Sequence, residues 1–428
     1  MLLLIMFLAM VAMILINVPI AFALAISAVI GVAAGGLDNL ISVAIEMYRG
    51  ATSFSLIAIP MFVLAGAIMN AGGISRRLIA MVSALIGFVR GGLAMVNVGV
   101  SLIFAEISGS AVADVAALGS VLIPEMKRKG YSKEFAAAVT SSSASLAIII
   151  PPSIPMILYA VSAGTSVEQL FIAGFIPGLI GGLGLMAVCY VFARRYNFPV
   201  EETLNLANVK KTFVEALPCL ALPVIILGGI FSGLATATEA AGLAVLAALL
   251  VALWYGELNW NLLKTSMLDG GMQTAVVMVL VAASILMGDY LTVAQVPQNL
   301  AQWIASLSSN QYVILFLLNI FFLILGFFLH SAAAIILVVP IIVPLMNTVG
   351  IDPVHFGLVV TLNLAIGQQT PPVASVLITA CSIARSDVWE TTKVNIPFIL
   401  VLLGVLFLCT YVPAIPMFLV DLFYPNRI

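Results

Sequence analysis

Small polar residues interrupt an apolar sequence at two places that lie 220 residues apart. Each place ends in a proline pair, Pro151-Pro152 in the first and Pro371-Pro372 in the second. The polar residues are Ser108, Gly109, Ser110, Asp114, Ser141, Ser142, Ser143 and Ser145 in the first place, and His330, Ser331, Asn363, Gln368, Gln369 and Thr370 in the second. Hydroxyl and amide groups of this kind are hard oxygen ligands, which suit sodium as they suit other hard cations.

The proline pairs predict a break in each of two membrane helices. Proline lacks an N–H group and frees the carbonyl one turn earlier, while the bilayer core holds no water to satisfy that carbonyl. A simple kink, with serines bonded back to their own helix, would explain one such place. Breaks at matching positions of two halves instead indicate the binding site of a secondary transporter.

Two pairs of short apolar segments are each joined by a few small or polar residues. The pairs cover residues 93–125 and 312–346, and each is predicted to be a re-entrant hairpin. A helix that starts at a hairpin tip presents free N–H groups and partial positive charge to an anion. Ser110 and Ser331 could be ordinary N-caps. A helix that starts this deep in an apolar segment, however, favours a binding role for these residues. Asp114 follows Ser110 by one helical turn, and an ionisable group in such a segment is a functional candidate.

The composition identifies an integral membrane protein made of many helices. Apolar residues make up 63% of the 428 and charged residues only 8%, where soluble domains average about 25% charged. The apolar stretches are continuous, which argues against a β-barrel, and no basic surface suggests nucleic acid as a partner.

The four scattered cysteines are predicted to be packing residues. Residues 1–16 lack a basic start and a cleavage site, so they are predicted to form a retained helix.

Two inverted repeats are predicted, at residues 1–200 and 212–428. Each contains one hairpin, one broken helix (residues 133–162 and 354–384) and five true spans, so the second repeat is inverted. Two of the spans in the second repeat are predicted at residues 272–292 and 395–424. With the N-terminus outside, 14 of the 16 lysines and arginines fall on the inner side, as the positive-inside rule requires. Residues 75–90 and 295–310 are more polar and are predicted to be connectors or helices lying along the membrane surface. The hairpins and broken helices would form a moving domain, and the outer spans a scaffold.

The sequence resembles the large membrane subunit (DctM-like) of tripartite ATP-independent periplasmic (TRAP) transporters. The resemblance rests on stretches that span nearly the whole chain: residues 58–66, Gly109–Gly119 with Ile123-Pro124, Ala237-Thr-Glu-Ala-Ala241, residues 350–357, and Asn363–Gly367 with Thr370–Val373. Two departures are Leu234–Thr238, where relatives often carry a proline, and Ala374, where a glycine often stands.

The resemblance implies a sodium-driven elevator carrier for organic anions such as C4-dicarboxylates or sialic acid, in the bacterial inner membrane. It also implies a small four-helix membrane subunit and a periplasmic substrate-binding protein as partners. The sodium ligands expected from it are Ser108, Gly109, Ser110, Asp114, Ser143, Ser331, Asn363 and Thr370. The substrate is expected between the hairpin tips, near Ser110, Ser145, Ser331 and Gln369.

Three other functions are consistent with parts of the sequence. A proton-coupled carrier would use Asp114 and His330 and would need no sodium. An ion channel or a membrane subunit of an ion pump would need a continuous polar face across a span, and few spans carry one. A purely structural subunit would not need two matching breaks. No nucleophile–base arrangement, phosphate-binding loop or metal cluster is present, so the chain is not expected to be an enzyme.

Overall fold

A computed structural model describes residues 2–16, 18–34, 40–198, 200, 205–257, 260–296, 298–299 and 310–425. The helices are α1 (Leu2–Leu15), α2 (Ile20–Ala34), α3 (Leu40–Ala51), α4 (Ala58–Ala71), α5 (Ile74–Ile86), α6 (Gly92–Ser108), α7 (Ala111–Arg128), α8 (Lys133–Ala144), α9 (Ile154–Ala163), α10 (Val167–Arg195), α11 (Leu206–Phe231), α12 (Ala237–Trp254), α13 (Trp260–Val293), α14 (Gln311–Phe328), α15 (Ser331–Val349), α16 (Pro353–Gly367), α17 (Ser375–Ala384), α18 (Val388–Tyr411) and α19 (Ala414–Phe423). Among the described residues, seven helices are long and apolar enough to cross a membrane. The predicted all-α membrane fold is confirmed.

Both predicted hairpins are present as pairs of helices with very short connections. Gly109 and Ser110 join α6 to α7, while Leu329 and His330 join α14 to α15. Gly109 has a φ of +61°, which a residue with a Cβ rarely adopts, so glycine suits this tight reversal.

Both predicted breaks are present as well. A 3-10 turn at Ser145–Ile148 follows α8, and the chain then stays non-helical until α9. In the second half, a non-helical segment likewise separates α16 from α17. The peptide bonds within Pro151-Pro152 and Pro371-Pro372 are both cis. These discontinuous helices confirm the reading of the proline pairs.

Each hairpin tip is tied to the break of the neighbouring discontinuous helix. The N–H of Ile154 donates to the carbonyl of Gly109 at 3.3 Å, and the N–H of Val373 donates to the carbonyl of Phe327 at 3.1 Å. Each break lies within its helical span, between the two helices that the break separates. A hairpin tip bonded at the break therefore reaches only partway along that span. The hairpins are therefore re-entrant, as predicted.

The two hairpins open toward opposite ends of the molecule. At the base of the first hairpin, Lys127 Nζ donates to the carbonyl of Ala384 at 2.9 Å, close to the start of α8. At the other end of that broken helix, Tyr159 Oη donates to the carbonyl of Pro353 at 2.8 Å, beside the base of the second hairpin. The first broken helix thus runs from one hairpin base to the other, as in inverted repeats.

Some elements differ from the sequence prediction. α13 runs unbroken for 34 residues, so the predicted span at 272–292 is only its second part. A shift of 220 residues matches α13 in the second half with α3 and α4 in the first half, where they are two separate helices. The predicted span at 395–424 is divided into α18 and α19, and α3 was not predicted. The segment at 75–90 contains α5, whereas most of 295–310 lies outside the described residues.

An ion-pair cluster fixes α5 to the end of α12. Arg76 Nη2 lies 2.8 Å from Glu257 Oε2, and Arg77 Nη2 lies 2.7 Å from Glu257 Oε1. The Arg77 guanidinium also stacks 3.7 Å from the ring centroid of Tyr255, whose hydroxyl donates to the carbonyl of Glu215. These residues fall on the side assigned as cytoplasmic by charge, so the cluster agrees with that orientation.

Replacing Glu257 with glutamine should weaken this attachment by about 1 kcal/mol of unfolding free energy, since partly exposed ion pairs contribute little. The hydrogen bond from Arg77 holds the pKa of Glu257 below its ordinary value. The pair therefore stabilises the fold above the ordinary carboxyl pKa and is lost as pH falls through the lowered pKa. Thermal unfolding of both proteins in detergent at neutral and acid pH measures this, and an equal difference at both pH values contradicts it.

Candidate functional site

The two hairpin tips meet at one cavity of about 300 Å³. The first tip contributes Gly109, Ser110 and Ala111, and the second contributes His330, Ser331 and Ala332. The remaining lining comes from both broken helices and from α4 and α13: Val63, Ile148, Ile154, Pro155, Met272, Val276, Val277 and Gln368. The cavity thus lies where the symmetric breaks converge, between the hairpins and the helices predicted to form the scaffold.

Helix N-termini from both halves face this cavity. α7 begins at Ala111 and α15 at Ser331, and both residues line it. Ser110 is the N-cap residue of α7, but Ser331 is the first residue of α15 and His330 is its N-cap residue. Free N–H groups and the positive end of a helix dipole favour an anion here.

The first broken helix holds a buried polar chain. Ser143 Oγ donates to Asn97 Oδ1 at 3.3 Å and accepts from Ser101 Oγ at 3.0 Å. Asn97 Nδ2 in turn donates to Thr140 Oγ1 at 2.7 Å. All four side chains are buried, so the predicted sodium ligand Ser143 lies in a polar network between α6 and α8.

The second broken helix contains a corresponding network. Asn363, which lies 220 residues after Ser143, donates through Nδ2 to Asn319 Oδ1 at 2.7 Å and to the carbonyl of Val359 at 2.8 Å. Asn319 Nδ2 donates to Thr410 Oγ1 at 3.2 Å. In each half, an asparagine on the first helix of the hairpin therefore holds the matching residue of the broken helix.

Among the described residues of the second half, two buried oxygens have no hydrogen-bond partner, Asn363 Oδ1 and Ser331 Oγ. Both donor hydrogens of Asn363 are directed at carbonyl-type oxygens, which fixes the amide orientation and leaves Oδ1 as the open acceptor. A buried polar atom without a partner is costly, by about 1–3 kcal/mol. Such oxygens fit the donor set of a hard cation.

Gln369 links the two broken helices away from the cavity. Its Nε2 donates to Ser145 Oγ at 2.5 Å and to the carbonyl of Ser141 at 3.0 Å. Its Oε1 accepts from Ser142 Oγ and from Asn395 Nδ2, both at 3.1 Å. Ser145 and Gln369, which are predicted to be substrate ligands, are fully buried and bond to each other, whereas Gln368 lines the cavity.

The other predicted residues fall around the same centre. Asp114 is fully buried in the first turn of α7. Thr370 is partly buried, and its hydroxyl donates to the carbonyl of Ile366 at 3.2 Å. The side chain of Ser108 lies outside the described residues, although its backbone ends α6.

Three asparagines of the site region, Asn97, Asn319 and Asn395, were not predicted from the sequence. Each is buried and bonded to a polar residue of a broken helix. An uncharged amide within an otherwise apolar helix was the available signal, because such groups are expected to face protein partners inside a membrane.

Paired hairpins and paired broken helices that converge on one cavity define a secondary transporter. The chain belongs to the family described as tripartite ATP-independent periplasmic transporter, DctM component, which matches residues 7–415. This confirms the family predicted from the sequence. It also identifies the chain as part of a transporter.

Individual relatives cover most of the chain. It is 39% identical over 379 residues to the C4-dicarboxylate TRAP transporter large permease protein DctM of Pseudomonas aeruginosa, covering 88% of this chain and 89% of that protein. It is also 39% identical over 405 residues to the isethionate TRAP transporter permease protein DctMQ of Oleidesulfovibrio alaskensis, covering 94% of this chain but 64% of that longer protein.

A solved structure shares the fold at low sequence identity. The crystal structure of the Alcanivorax borkumensis YdaH transporter, described as having an unusual topology, superposes with a TM-score of 0.65. The match covers 88% of this chain and 89% of that chain at 15% identity. It supports the helical transporter architecture.

Proposed function

We propose that this chain is the membrane-embedded carrier of a sodium-coupled uptake system for a small organic anion. Membership of the family already makes it a multi-pass large permease for secondary transport of organic acids. The observation that carries the finer proposal is the pair of helix N-termini at one cavity, together with two buried oxygens that lack partners, Ser331 Oγ in the cavity lining and Asn363 Oδ1 in the second broken helix.

The anion would bind between the hairpin tips. The N-termini of α7 and α15 each present about half a positive charge to the cavity, and the hydroxyls of Ser110 and Ser331 add donors. A carboxylate, or the sulfonate of an acid such as isethionate, fits this environment. Succinate, isethionate and sialic acid are therefore the first substrates to test.

Sodium would bind beside the anion at the broken helices. Asn363 Oδ1 and Ser331 Oγ are hard oxygens held in place by packing, with no hydrogen bond to lose when a cation arrives. Ser108, Gly109, Ser110, Asp114 and Ser143 would serve a site in the first half, and Thr370 would join the second. Binding both charges together lowers the cost of carrying either through the bilayer, which would couple the two movements.

Transport would move the hairpins and broken helices against a scaffold. α4 packs on α12 and α13, whereas the two hairpins pack on both broken helices, so two groups of helices are distinguishable. α5 contacts both α11 and α6 and would link the two groups. The lipid-facing scaffold would bind a small four-helix membrane subunit, and the outer face would receive substrate from a periplasmic binding protein at the bacterial inner membrane.

Uptake by the complete system in proteoliposomes tests the proposal. We expect accumulation of an organic anion to require an inward sodium gradient and to stop when potassium replaces sodium. A pH gradient alone should not drive it. Accumulation driven by a proton gradient without sodium, or large unitary currents in electrical recordings, would contradict sodium-coupled carriage.

Replacing Asn363 with alanine should raise the sodium concentration for half-maximal uptake by about tenfold, because a cation–oxygen contact of roughly 1.5 kcal/mol is removed. Asn208→Ala provides a control at an exposed asparagine of α11. The measurement is uptake rate against sodium concentration. Equal sodium dependence in both variants would exclude Asn363 as a ligand.

A further inference from the structure

The part of the cavity lining that the structure describes contains one ionisable side chain. Among the described lining residues there is no lysine, arginine or carboxylate, and His330 alone can change its charge. The other polar side chains of the lining are Ser110, Ser331 and Gln368. An anion in this cavity therefore depends on backbone N–H groups, hydroxyls, the amide of Gln368 and one imidazole.

His330 is placed differently from its counterpart in the first half. The offset of 220 pairs His330 with Ser110, so the N-cap position of one hairpin tip carries an imidazole and the other a hydroxyl. His330 makes no side-chain capping bond to its own helix, and the residue keeps an accessible surface where it lines the cavity, although neighbouring atoms surround much of its imidazole. Its ring N–H is thus available to a molecule in the cavity.

The neighbouring residue shows that this end of the cavity is built for a ligand. Ser331 is only 1% exposed, yet its hydroxyl lines the cavity and has no hydrogen-bond partner. The N-terminus of α15 adds unpaired N–H groups at the same place. The two tips therefore differ chemically, and only the second combines a helix start with an imidazole.

Building on the proposed function, we propose that His330 determines which organic anions this carrier accepts. The N-terminus of α7 with Ser110 holds the acid group. His330 donates its ring N–H to a second oxygen acceptor at the far end of the anion, assisted by Ser331. A site that donates to such an acceptor discriminates strongly against analogues that lack it, because its donors are then left unpaired.

The test uses the complete transport system with His330→Ala and His330→Gln. Glutamine retains an N–H donor of similar reach, whereas alanine removes it. Uptake of succinate, isethionate and sialic acid is first measured with the unmodified chain, and the accepted substrate is then used for kinetics. We expect the alanine variant to raise KM about tenfold or more with a smaller change in kcat. The glutamine variant should return KM most of the way to the value of the unmodified chain.

The failures of the two proposals are distinguishable. If the unmodified system accumulates none of the three anions with sodium, the proposed function itself is wrong. If it accumulates one of them and the alanine variant keeps the same KM, His330 does not select the substrate. Loss of uptake in both variants with unchanged thermal unfolding also overturns the inference, since the retained donor should have rescued binding.

Discussion

Replacing Asp114 with alanine is expected to abolish sodium-coupled uptake. Asp114 is fully buried, and it lies one helical turn after Ser110, which lines the cavity between the tips. A carboxylate in the apolar interior is costly, so it is retained where its negative charge offsets a bound cation. Its removal should eliminate the cation's main electrostatic partner in the first half. Sodium-driven uptake in proteoliposomes, with the binding protein and small subunit present, measures the effect.

The controls separate lost charge from lost structure. Asp114→Asn keeps the size and most hydrogen bonding but removes the charge, so it should fold normally and still fail to transport. Glu125 lies on the same helix at its far end, where it pairs with exposed Arg128. Glu125→Ala should therefore preserve uptake. Normal sodium dependence in a folded Asp114→Asn protein would remove Asp114 from the proposed sodium site.

Replacing Gly367 with alanine should destabilise the second half severely. A Cβ at this position would lie 2.5 Å from the Cα of Gly326, and a Cβ on Gly326 would lie 3.0 Å from the Cα of Gly367. Both obstacles are backbone atoms, so α14 and α16 would have to separate. Overpacking of this kind costs about 3 kcal/mol. The same helices carry Asn319 and Asn363, whose hydrogen bond should also be lost.

Thermal unfolding in detergent and sodium-dependent uptake together measure this effect. Gly242→Ala on α12 and Gly404→Ala on α18 are matched controls, because a Cβ at either position meets no atom within 4 Å. Both controls should unfold at or slightly above the unfolding temperature of the unmodified protein, since alanine favours a helix more than glycine does. If Gly367→Ala behaves like these controls, the close helix crossing is wrong.

Local sequence chemistry was sufficient for much of the architecture. A proline pair acts on its own backbone, so the breaks at Pro151-Pro152 and Pro371-Pro372 could be located before any packing was known. Continuous apolar stretches likewise require helices in a bilayer, whatever their neighbours. The offset of 220 then related the two halves, and α7 and α15 do begin that far apart.

The exact residues at which helices begin and end were less predictable from the sequence. The sequence suggested a span at residues 272–292, but α13 starts at Trp260, because nothing in that segment forces a break. Ser331 resembled an N-cap, yet the chain places His330 in that position. One residue of register decides which side chain occupies the N-cap position, and local preferences do not resolve it.

The sequence by itself determined the class of protein, the hairpins and the helix breaks, and it predicted the region of the candidate site. Only the tertiary structure decided the partners within it: Gln369 bonds Ser145 across the two halves, while Gln368 faces the cavity. Likewise, Asn319 orients Asn363 and leaves its oxygen open. The physical reason is that helix breaks arise from neighbouring residues along the chain, whereas buried polar groups are satisfied by residues from distant segments, whose approach depends on packing.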